Sequence, residues 1–338
     1  MFGLAISDPS GGLAPSEPAN AAPRVLHLAL TRSAAVRLAP VADALPGPQT
    51  AVDIAGRVVS WHDDAPLPPA RPAALSAAQA AEAVSEALDR AQPHVALLAG
   101  DGDIALACAL AVARADVPLA RLGAGQRCGD RGDRGEINRI AIDELAIRLY
   151  TDSDVADEHL LAEGADPRHI HRVGSTLAAS VERRRGEALA AAAWTRYGVT
   201  RGEYVLTCLD RAEDAESGPL ADALQALSRR YPILVRPGSE LDYVACLSLE
   251  VGAAAVVTDS ADVQEETTVL GVPCVTLARW TECSLTVTHG TNTLVGDDPK
   301  AVADLTFEAL ATAPEPLWDA DAGIRVAADL LRAPWEDQ

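Results

Sequence analysis

The segment Asp259-Ser260-Ala261-Asp262-Val263-Gln264-Glu265-Glu266 has residue types and spacing suited to a phosphorylated ligand. It follows an apolar run and leads into a predicted helix, with Ser260 at the N-cap position. Backbone N–H groups at a helix start, aided by the helix dipole, bind phosphate. Glu266 lies about two turns into the helix, where its carboxylate could accept hydrogen bonds from sugar hydroxyls. A capped helix with a solvated acidic turn explains the same segment equally well.

Arginine and aspartate side chains follow other apolar runs, each where a predicted strand ends. Arg32 would point from the end of the first strand into a cleft, and a guanidinium group suits a diphosphate. For Arg37 alone, a position on a helix surface is the simpler interpretation. Asp101 follows Ala99-Gly100 and serves equally well as a general base or as a helix cap. Asp210 and Arg236 occupy equivalent turns further along the chain.

Several other chemistries lack the residues they need. The seven histidines lie far apart, except His169 and His171, so no metal site is predicted. The six cysteines show no C-x-x-C spacing and several lie in apolar runs, which favours buried free thiols in a reducing cytosol. Lys300 is the only lysine and no G-x-x-x-x-G-K-[ST] motif occurs, which argues against P-loop and Schiff-base chemistry.

Short apolar runs alternate with Ala-rich helical stretches, a pattern typical of an α/β fold with parallel sheets, here in two halves. Strands are predicted at Val25–Leu30, Val95–Ala99, Val117–Leu122, Tyr150–Asp152, His171–Val173, Tyr204–Cys208, Ile233–Val235, Ala254–Thr258 and Pro273–Leu277. Helices are predicted at Ala73–Arg90, Ile104–Arg114, Arg139–Tyr150, Ala156–Glu163, Gly218–Arg230, Val263–Leu270 and Asp321–Leu331, with a connector at Gly174–Arg185. Ligands of such sheets bind beyond the carboxyl ends of the strands, so two facing halves would enclose a cleft.

Length and charge narrow the function classes. A chain of 338 residues with 49% hydrophobic and 23% charged residues is long enough for two domains. The net charge of −21 argues against non-specific binding to nucleic acid or to anionic membranes. No apolar run approaches the ~20 residues of a membrane span. Met1–Pro23 is predicted to be a loose tail and Asp63–Pro72 an exposed loop, and the protein is expected in the cytoplasm.

From about Arg24 onward, the chain resembles the non-hydrolysing UDP-N-acetylglucosamine 2-epimerases. In the first half of the chain, Thr31–Pro40 matches the family motif G-T-R-P-E-A-x-K-x-x-P, Ala99–Asp101 matches H-G-D-T, and Leu122–Asp130 matches V-E-A-G-L-R-T-G-D. Gly135–Arg139 then matches E-E-x-N-R, and Val173–Thr176 matches T-G-N-T. In the second half, Thr258–Glu266 matches T-D-S-G-G-x-Q-E-E, Leu270–Cys274 matches L-G-x-P-x, and Thr281–Glu282 with Gly290–Gly296 matches T-E-R-P-E…G-T-N-x-L-V-G. Each motif alone is weak, but their order and spacing together are specific.

The resemblance implies two Rossmann-like domains in a GT-B-like arrangement, with the active site in the cleft. The expected ranges are a tail at 1–23, a first domain at 24–176 completed by a C-terminal helix at about 318–336, and a nucleotide-binding domain at 177–317. The family eliminates UDP from a UDP-sugar to give a 2-acetamidoglucal and adds it back on the other face. It uses no cofactor and commonly forms homodimers through the first domain.

The resemblance also assigns roles to individual residues. Asp101, Arg139, Arg37 and Asp210 fall at catalytic positions, and Arg32, Arg236, Ser260, Ala261, Asp262 and Glu266 at positions that bind the nucleotide. Arg37 replaces a lysine, Asp210 replaces a histidine, and Ala261 and Asp262 replace a Gly-Gly pair. Asp262 thereby adds a negative charge near the expected diphosphate.

Gly123 and Gly135 stand where the family has catalytic glutamates. General acid–base groups typically supply ~10²–10⁴-fold each, so losing both would cost roughly 5 kcal/mol or more. Carboxylates elsewhere in the sequence could take their place, and the candidates are Asp130, Asp133, Glu136 and Asp210. The two glycines could also enlarge the pocket for another substrate.

Three hypotheses follow. The first is an enzyme acting on a nucleotide-activated sugar, as a 2-epimerase or as a glycal-forming hydrolase. The second is a glycosyltransferase-type enzyme that uses the same cleft. The third is a catalytically silent homologue that binds a nucleotide or a partner protein. Retention of Arg32, Asp101, Arg139, Ser260 and Glu266 favours the first.

Overall fold

Two β-sheets form the framework of the computed structural model. The structure describes residues 22–47, 49–53, 55–61, 75–209, 218–236, 241–296, 298–304, 306 and 317–335. Both sheets are flanked by helices, so the chain is an α/β protein with two Rossmann-like lobes. None of the helices in these ranges is both long enough and apolar enough to cross a membrane.

The first sheet has seven strands. They are β1 Val25–Leu28, β2 Gln49–Val52, β3 Val58–Trp61, β4 Val95–Ala99, β5 Leu119–Leu122, β6 Arg148–Thr151 and β7 Ile170–Arg172. Their order is β3-β2-β1-β4-β5-β6-β7, and only β3 runs antiparallel to its neighbour. All residues of the adjacent strands β1 and β4 are buried because helices cover both sheet faces, which explains why these strands form continuous apolar runs.

Five helices connect the strands of the first sheet. They are α1 Arg32–Ala44, α2 Ala77–Ala91, α3 Asp103–Arg114, α4 Arg134–Leu145 and α5 Asp154–Glu163. Several begin with a side-chain cap that fixes the turn after a strand. Thr31 accepts a hydrogen bond from the backbone N–H of Ala34 at the start of α1, and Asp133 accepts one from Glu136 at the start of α4.

Helix α6 (Thr176–Ala191) leads into the second lobe, which contains a smaller sheet, and Leu177, Val181 and Ala188 of α6 join the core of that lobe. Its strands are β8 Val205–Cys208, β9 Ile233–Val235, β10 Ala255–Thr258, β11 Cys274–Thr276 and β12 Asn292–Leu294, in the order β12-β11-β10-β8-β9. Its strand pairs are parallel. The helices are α7 Pro219–Ser228, α8 Tyr243–Gly252, α9 Ala261–Leu270, α10 Ser284–Thr288 and α11 Pro299–Ala303.

The last helix, α12 (Ala322–Leu330), packs on α1 of the first lobe. Its Val326 and Leu330 join the same buried cluster as Val25 of β1. The crossing is close because Gly323 has no side chain, and a Cβ there would lie 2.5 Å from Pro40. The C-terminal segment therefore completes the core of the first lobe.

Most predicted strands and helices lie within one or two residues of the observed ones, but two expectations are wrong. The helix predicted at Arg139–Tyr150 begins earlier, at Arg134, because Asp133 caps it, and it ends at Leu145. Residues Arg148–Thr151 form strand β6 instead. The connector predicted at Gly174–Arg185 is the start of α6, because the Ser175 hydroxyl caps that helix at Ala178.

Other expectations were incomplete or lie outside the described residues. Strands β2, β3 and β12, of three or four residues each, were not anticipated. All six cysteines are free thiols and five are buried, whereas Cys128 is partly exposed. The loop at 63–72, the tail at 1–21 and Asp210 lie outside the described residues.

Candidate active site

A cleft of about 950 Å³ lies between the two lobes at the carboxyl ends of their strands. The first lobe contributes the residues that follow β1 and β4, including Thr31, Arg32 and Asp101. The second lobe contributes Ser260 at the start of α9, and Glu282 after β11. The cleft therefore lies where ligands of parallel sheets bind.

One guanidinium group organises the acidic side chains on the first wall of the cleft. Arg139 on α4 contacts four carboxylates, and we call these five residues the Arg139 cluster. The nitrogen–oxygen distances are 2.5 Å to Asp101, 3.1 Å to Asp133, 3.1 Å to Glu136 and 3.4 Å to Glu282. Glu282 reaches across from the second lobe, so the cluster joins both walls. Its carboxylates surround Arg139 and raise the pKa of its guanidinium although the group is buried.

The sequence around α4 explains this cluster. Asp133 is the N-cap residue, and Glu136 and Arg139 follow at intervals of three residues, which places them on one face of the helix. The Glu136 carboxylate accepts hydrogen bonds from the backbone N–H groups of Cys128 and Gly129. Burial favours the neutral acid, but these donors and Arg139 outweigh it and hold the pKa of Glu136 below its usual value.

A further set of charged residues supports the Arg139 cluster by holding helix α4 in position. The buried Arg121 of β5 donates a hydrogen bond of 2.7 Å to the backbone carbonyl of Arg139. Arg121 and Arg127 also form ion pairs with Asp143 on the next turn of α4. These contacts fix where α4 lies against the sheet, and so where Arg139 points.

Of the two glycines at expected glutamate positions, Gly135 lies close to this cluster. A Cβ at Gly135 would lie 2.9 Å from an Asp133 carboxylate oxygen, 3.1 Å from Arg139 Nη1 and 3.6 Å from an Asp101 oxygen. The Asp133 carboxylate therefore fills the space that a side chain at position 135 would enter. Gly123 has φ +71°, a conformation that favours glycine.

The second wall of the cleft is the start of α9. Ser260 is its N-cap residue, as predicted, but the Ser260 hydroxyl makes no capping hydrogen bond. The Ser260 N–H donates to Thr258 Oγ1, and the Gln264 N–H begins the helical pattern by donating to the Ser260 carbonyl. The N–H groups of Ala261, Asp262 and Val263 are therefore the donors that this helix start offers to a ligand.

Arg37 connects the two lobes at this helix. Its Nη2 atom lies 2.8 Å from an Asp262 oxygen and 2.8 Å from a Glu265 oxygen. Ser175 also donates a hydrogen bond to Glu265. Burial lowers the pKa of Arg37, but the two carboxylates outweigh it and raise the pKa well above its usual value. The Arg37 guanidinium is thus matched by protein carboxylates, one of which stands at the helix start.

A crevice of about 170 Å³ opens beside the start of α9, and we call it the Glu266 crevice. Its polar lining comprises Arg32, Arg236, Tyr243, Cys246, Glu250, Ser260, Asp262 and Glu266. Arg32 donates a hydrogen bond of 3.3 Å to the Leu241 carbonyl and lies over the Tyr243 ring. Its other terminal nitrogen, Nη2, is buried and has no hydrogen-bond partner among the described residues.

The two carboxyl groups of this crevice differ from those of the Arg139 cluster. Glu266 accepts a hydrogen bond of 2.8 Å from the Tyr243 hydroxyl, and Glu250 is fully buried behind it. Burial and the charge of Asp262 raise the pKa of Glu266 to about 7. Burial and the neighbouring Glu266 raise the pKa of Glu250 well above its usual value, although Arg236 opposes this.

The structure brings nine of the ten predicted site residues to this part of the molecule, and the tenth, Asp210, lies outside the described residues. Sequence reasoning did not single out Glu282 as a partner of Arg139, nor Tyr243 and Glu250. A signal for Glu250 was present, because it is the only charged residue in the apolar helix α8. Helical spacing places three lining residues of the crevice on one face of α8, namely Tyr243, Cys246 and Glu250.

Comparisons with known proteins point to one family. The family model described as UDP-N-acetylglucosamine 2-epimerase matches residues 71–237 and 231–331. The UDP-N-acetylglucosamine 2-epimerase of Methanococcus maripaludis is 28% identical over 261 residues, covering 67% of this chain and 71% of that protein. A UDP-2,3-diacetamido-2,3-dideoxy-D-glucuronate 2-epimerase of Pseudomonas aeruginosa is 29% identical over 256 residues, covering 68% and 70%.

Solved structures share the fold. The UDP-GlcNAc 2-epimerase from Neisseria meningitidis bound to UDP-GlcNAc has a TM-score of 0.76 at 18% identity, covering 92% of this chain and all of that one. The Methanocaldococcus jannaschii enzyme in complex with UDP-GlcNAc and UDP has a TM-score of 0.73 at 20% identity, covering 92% and 99%. The family model covers well over half of the sequence, and the chain therefore belongs to the UDP-N-acetylglucosamine 2-epimerase family.

Proposed function

We propose that this protein is a nucleotide-sugar 2-epimerase that acts on UDP-N-acetylglucosamine or a closely related UDP-activated 2-acetamido sugar. One observation carries the proposal: Asp101, which pairs with Arg139, lines a single cleft together with Arg32 and the start of α9. A carboxylate for proton transfer and a cradle for a diphosphate thus line the same space, which a nucleotide sugar would fill. Relatives that bind UDP-GlcNAc and UDP with the same fold support it.

The reaction divides between the two walls. A carboxylate of the Arg139 cluster removes the proton from C2 of the sugar. The electrons of that C–H bond form a C1–C2 double bond while the C1–O bond breaks, so UDP leaves with its electron pair. The N–H groups at the start of α9 and Arg32 hold the diphosphate, and Glu266 accepts hydrogen bonds from the ribose. Return of the proton on the opposite face of C2, with UDP re-added at C1, completes the inversion.

Asp133 supplies the carboxylate that the resemblance expects at position 135. Its side chain fills the space beside Gly135, pairs with Arg139 and is 39% exposed, so a substrate can reach it. The carboxylate thus comes from a residue two positions earlier in the chain than the family's glutamate, and it lies beside the Arg139 guanidinium group. Asp101 remains the other acid–base group, and the expected roles of Arg37 and Arg236 stay predictions.

The test is an assay with UDP-N-acetylglucosamine in D₂O, read by NMR for deuterium at C2, for the C2 epimer and for free glycal. Asp133→Ser keeps a residue that caps α4 well but removes the carboxylate, and should lower turnover by roughly 10²–10⁴-fold. Asp101→Asn should do the same. Asp130→Ser, in the same loop, is the matched control and should retain activity, because the Asp130 side chain accepts a hydrogen bond from the Gly132 N–H and forms no ion pair with Arg139 among the described residues.

A relocation variant sharpens this test. Asp133→Ser combined with Gly135→Glu should recover part of the lost turnover, because the carboxylate returns to the same space from the other position. Full activity of Asp133→Ser alone would remove Asp133 from the mechanism. Absence of C2 exchange in the wild-type protein with every UDP-sugar tried would remove the epimerase proposal itself.

One observation favours a second function, a silent nucleotide-binding homologue. The Asp262 carboxylate stands in the first turn of α9, where a diphosphate would bind, and Arg37 holds it there. A protein that had kept the fold without its chemistry could tolerate such a charge. It would be stabilised thermally by UDP without consuming any UDP-sugar, and the same D₂O assay separates the two functions.

A further inference from the structure

The Glu266 crevice contains two carboxyl groups with unequal hydrogen-bond partners. Glu266 accepts from the Tyr243 hydroxyl at 2.8 Å. Neither oxygen of the fully buried Glu250 accepts a hydrogen bond from a donor among the described residues. The nearest cation is Arg236, whose Nη1 lies 4.0 Å from Glu250 Oε1. A buried carboxylate without donors is very unfavourable, whereas a protonated carboxyl is a donor itself.

Glu250 and Glu266 line the same crevice, and each carboxyl group influences the pKa of the other. We propose that Glu250 is a positioning residue: it keeps its proton, donates a hydrogen bond to the Glu266 carboxylate, and holds Glu266 as an ionised acceptor for the hydroxyl groups of a nucleoside diphosphate. This inference rests on the proposed function and deepens it, because it assigns a role to a residue that does not itself touch the ligand.

The position of the crevice supports this role. It shares Arg32, Ser260 and Asp262 with the cleft, so a diphosphate at the start of α9 would direct its nucleoside into the crevice. Ribose hydroxyls are hydrogen-bond donors and need an acceptor that is ionised and correctly oriented. Two ionised carboxylates side by side would repel each other, so one shared proton is the arrangement that leaves Glu266 charged.

Charged and titratable groups face Glu266 from every neighbouring element. They are Asp262 on its own helix, Tyr243, Cys246 and Glu250 on α8, Cys208 on β8, Arg32 on α1 and Arg236 after β9. Burial and Asp262 raise the pKa of Glu266, whereas Tyr243, Arg236 and Glu250 lower it, and the result is about 7. Nucleotide binding should therefore weaken as the pH falls through about 7, because a protonated Glu266 carboxyl has lost its negative charge and is a weaker hydrogen-bond acceptor.

Two substitutions at Glu250 distinguish a hydrogen-bond donor to Glu266 from a side chain that only fills space. Glu250→Gln keeps a donor beside Glu266, and we expect it to bind UDP within about twofold of wild type with the same pH midpoint. Glu250→Leu fills a similar volume without a donor, so the pKa of Glu266 should rise. Its UDP affinity at pH 7 should fall by about tenfold, or roughly 1.4 kcal/mol, and recover at higher pH. Calorimetric titration with UDP from about pH 5.5 to about pH 9 measures both.

A second measurement needs no ligand. In protein labelled with ¹³C at glutamate side chains, the carboxyl signal that Glu266→Gln abolishes should titrate near pH 7. It should move to higher pH in Glu250→Leu but not in Glu250→Gln. Glu250→Met replaces the leucine variant if the latter does not fold, as judged by its thermal unfolding.

The outcomes are distinguishable. If wild-type protein binds no UDP at any pH, the proposed function is wrong, and the carboxyl titration alone decides the role of Glu250. If the glutamine and leucine variants lose the same affinity, or the Glu266 signal keeps its midpoint in both, Glu250 only fills space and the inference is overturned.

Discussion

The two walls of the cleft both bury glutamates on helices, yet they shift the pKa values of Glu136 and Glu250 in opposite directions. Glu136 in the Arg139 cluster has two backbone N–H donors and a guanidinium partner, and its pKa is lowered. Glu250 in the Glu266 crevice has no donor among the described residues, and its pKa is raised. Burial is common to both, so the supply of donors decides whether a buried carboxyl carries charge.

This difference suits different tasks. The Arg139 cluster gathers four carboxyl groups around one cation, in place for proton transfer without rearrangement. In the Glu266 crevice, Glu250 has no donor among the described residues and the pKa of Glu266 is about 7, so the charge of the crevice can change when pH or ligand changes. Variants that remove a charged residue from the Arg139 cluster, or a carboxyl group from the Glu266 crevice, test this comparison directly.

The largest effect is expected from Arg139→Leu. It leaves Glu136 buried beside three other carboxylates with no cation between them. Removing one partner of a buried ion pair typically costs about 3–5 kcal/mol, so the free energy of unfolding should fall by that amount in denaturant titrations. Arg134→Ala, which breaks an exposed pair with Asp103, is the control and should cost about 1 kcal/mol or less. Equal losses in the two variants would contradict the comparison.

The second effect is a difference in the sign of pH dependence. The pKa of Glu266 rises from 4.5 in the unfolded chain to about 7 in the folded protein. The folded state therefore binds more protons across that window, and stability falls as the pH rises through it. Glu266→Gln should flatten this part of the profile and stabilise the protein at pH 8 by up to ~3 kcal/mol.

Glu136→Gln is the matched variant on the other wall and should act in the opposite direction. The folded-state pKa of Glu136 is lowered, so its ionised form contributes stability that is present above the unfolded pKa and is lost as the pH falls. The glutamine variant should be less stable than wild type at neutral pH. Denaturant titrations of both variants across pH check the two signs, and a stabilising Glu136→Gln would refute our account of the cluster.

The smallest effect is expected from Asp262→Gly. Removing this carboxylate from the first turn of α9 ends its competition with a diphosphate and releases Arg37 from one of its two partners. UDP affinity should tighten by about tenfold, or roughly 1.4 kcal/mol, in calorimetric titrations. Asp262→Asn removes the charge at nearly constant size and should give a similar gain. Weaker binding by both variants would mean that Asp262 assists the nucleotide rather than competing with it.

Much of the fold could be predicted because local signals agreed with the final structure. The buried run Val95–Ala99 is a strand with the predicted bounds, since parallel strands covered on both faces are continuously apolar. Ser260 is at the predicted N-cap. Prediction failed where a single cap decided a boundary, as at Asp133 and Ser175, because competing interpretations of those turns looked equally good in the sequence.

The candidate site was predicted in part for the same reason. Asp101 and Ser260 each follow a strand. Because ligands of parallel sheets bind beyond the carboxyl ends of the strands, the sequence predicted that both residues line the same cleft. The ion-pair partners of Arg37 and Arg139 could not be predicted in this way. Arg37 pairs with Asp262, 225 residues away, and Arg139 contacts Glu282, 143 residues away. No local pattern contains such pairs.

By itself, the sequence determined most of the strands and helices, which residue types stand at the strand ends, and which family the motifs resemble. These features depend on hydrophobic patterning and on caps formed within a few residues. Only the tertiary structure decided which charges meet: that Asp133 fills the space beside Gly135, that Asp262 holds Arg37, and that Glu250 lies without donors behind Glu266. Charge states depend on three-dimensional neighbours and on burial, and the packing of the two lobes sets both.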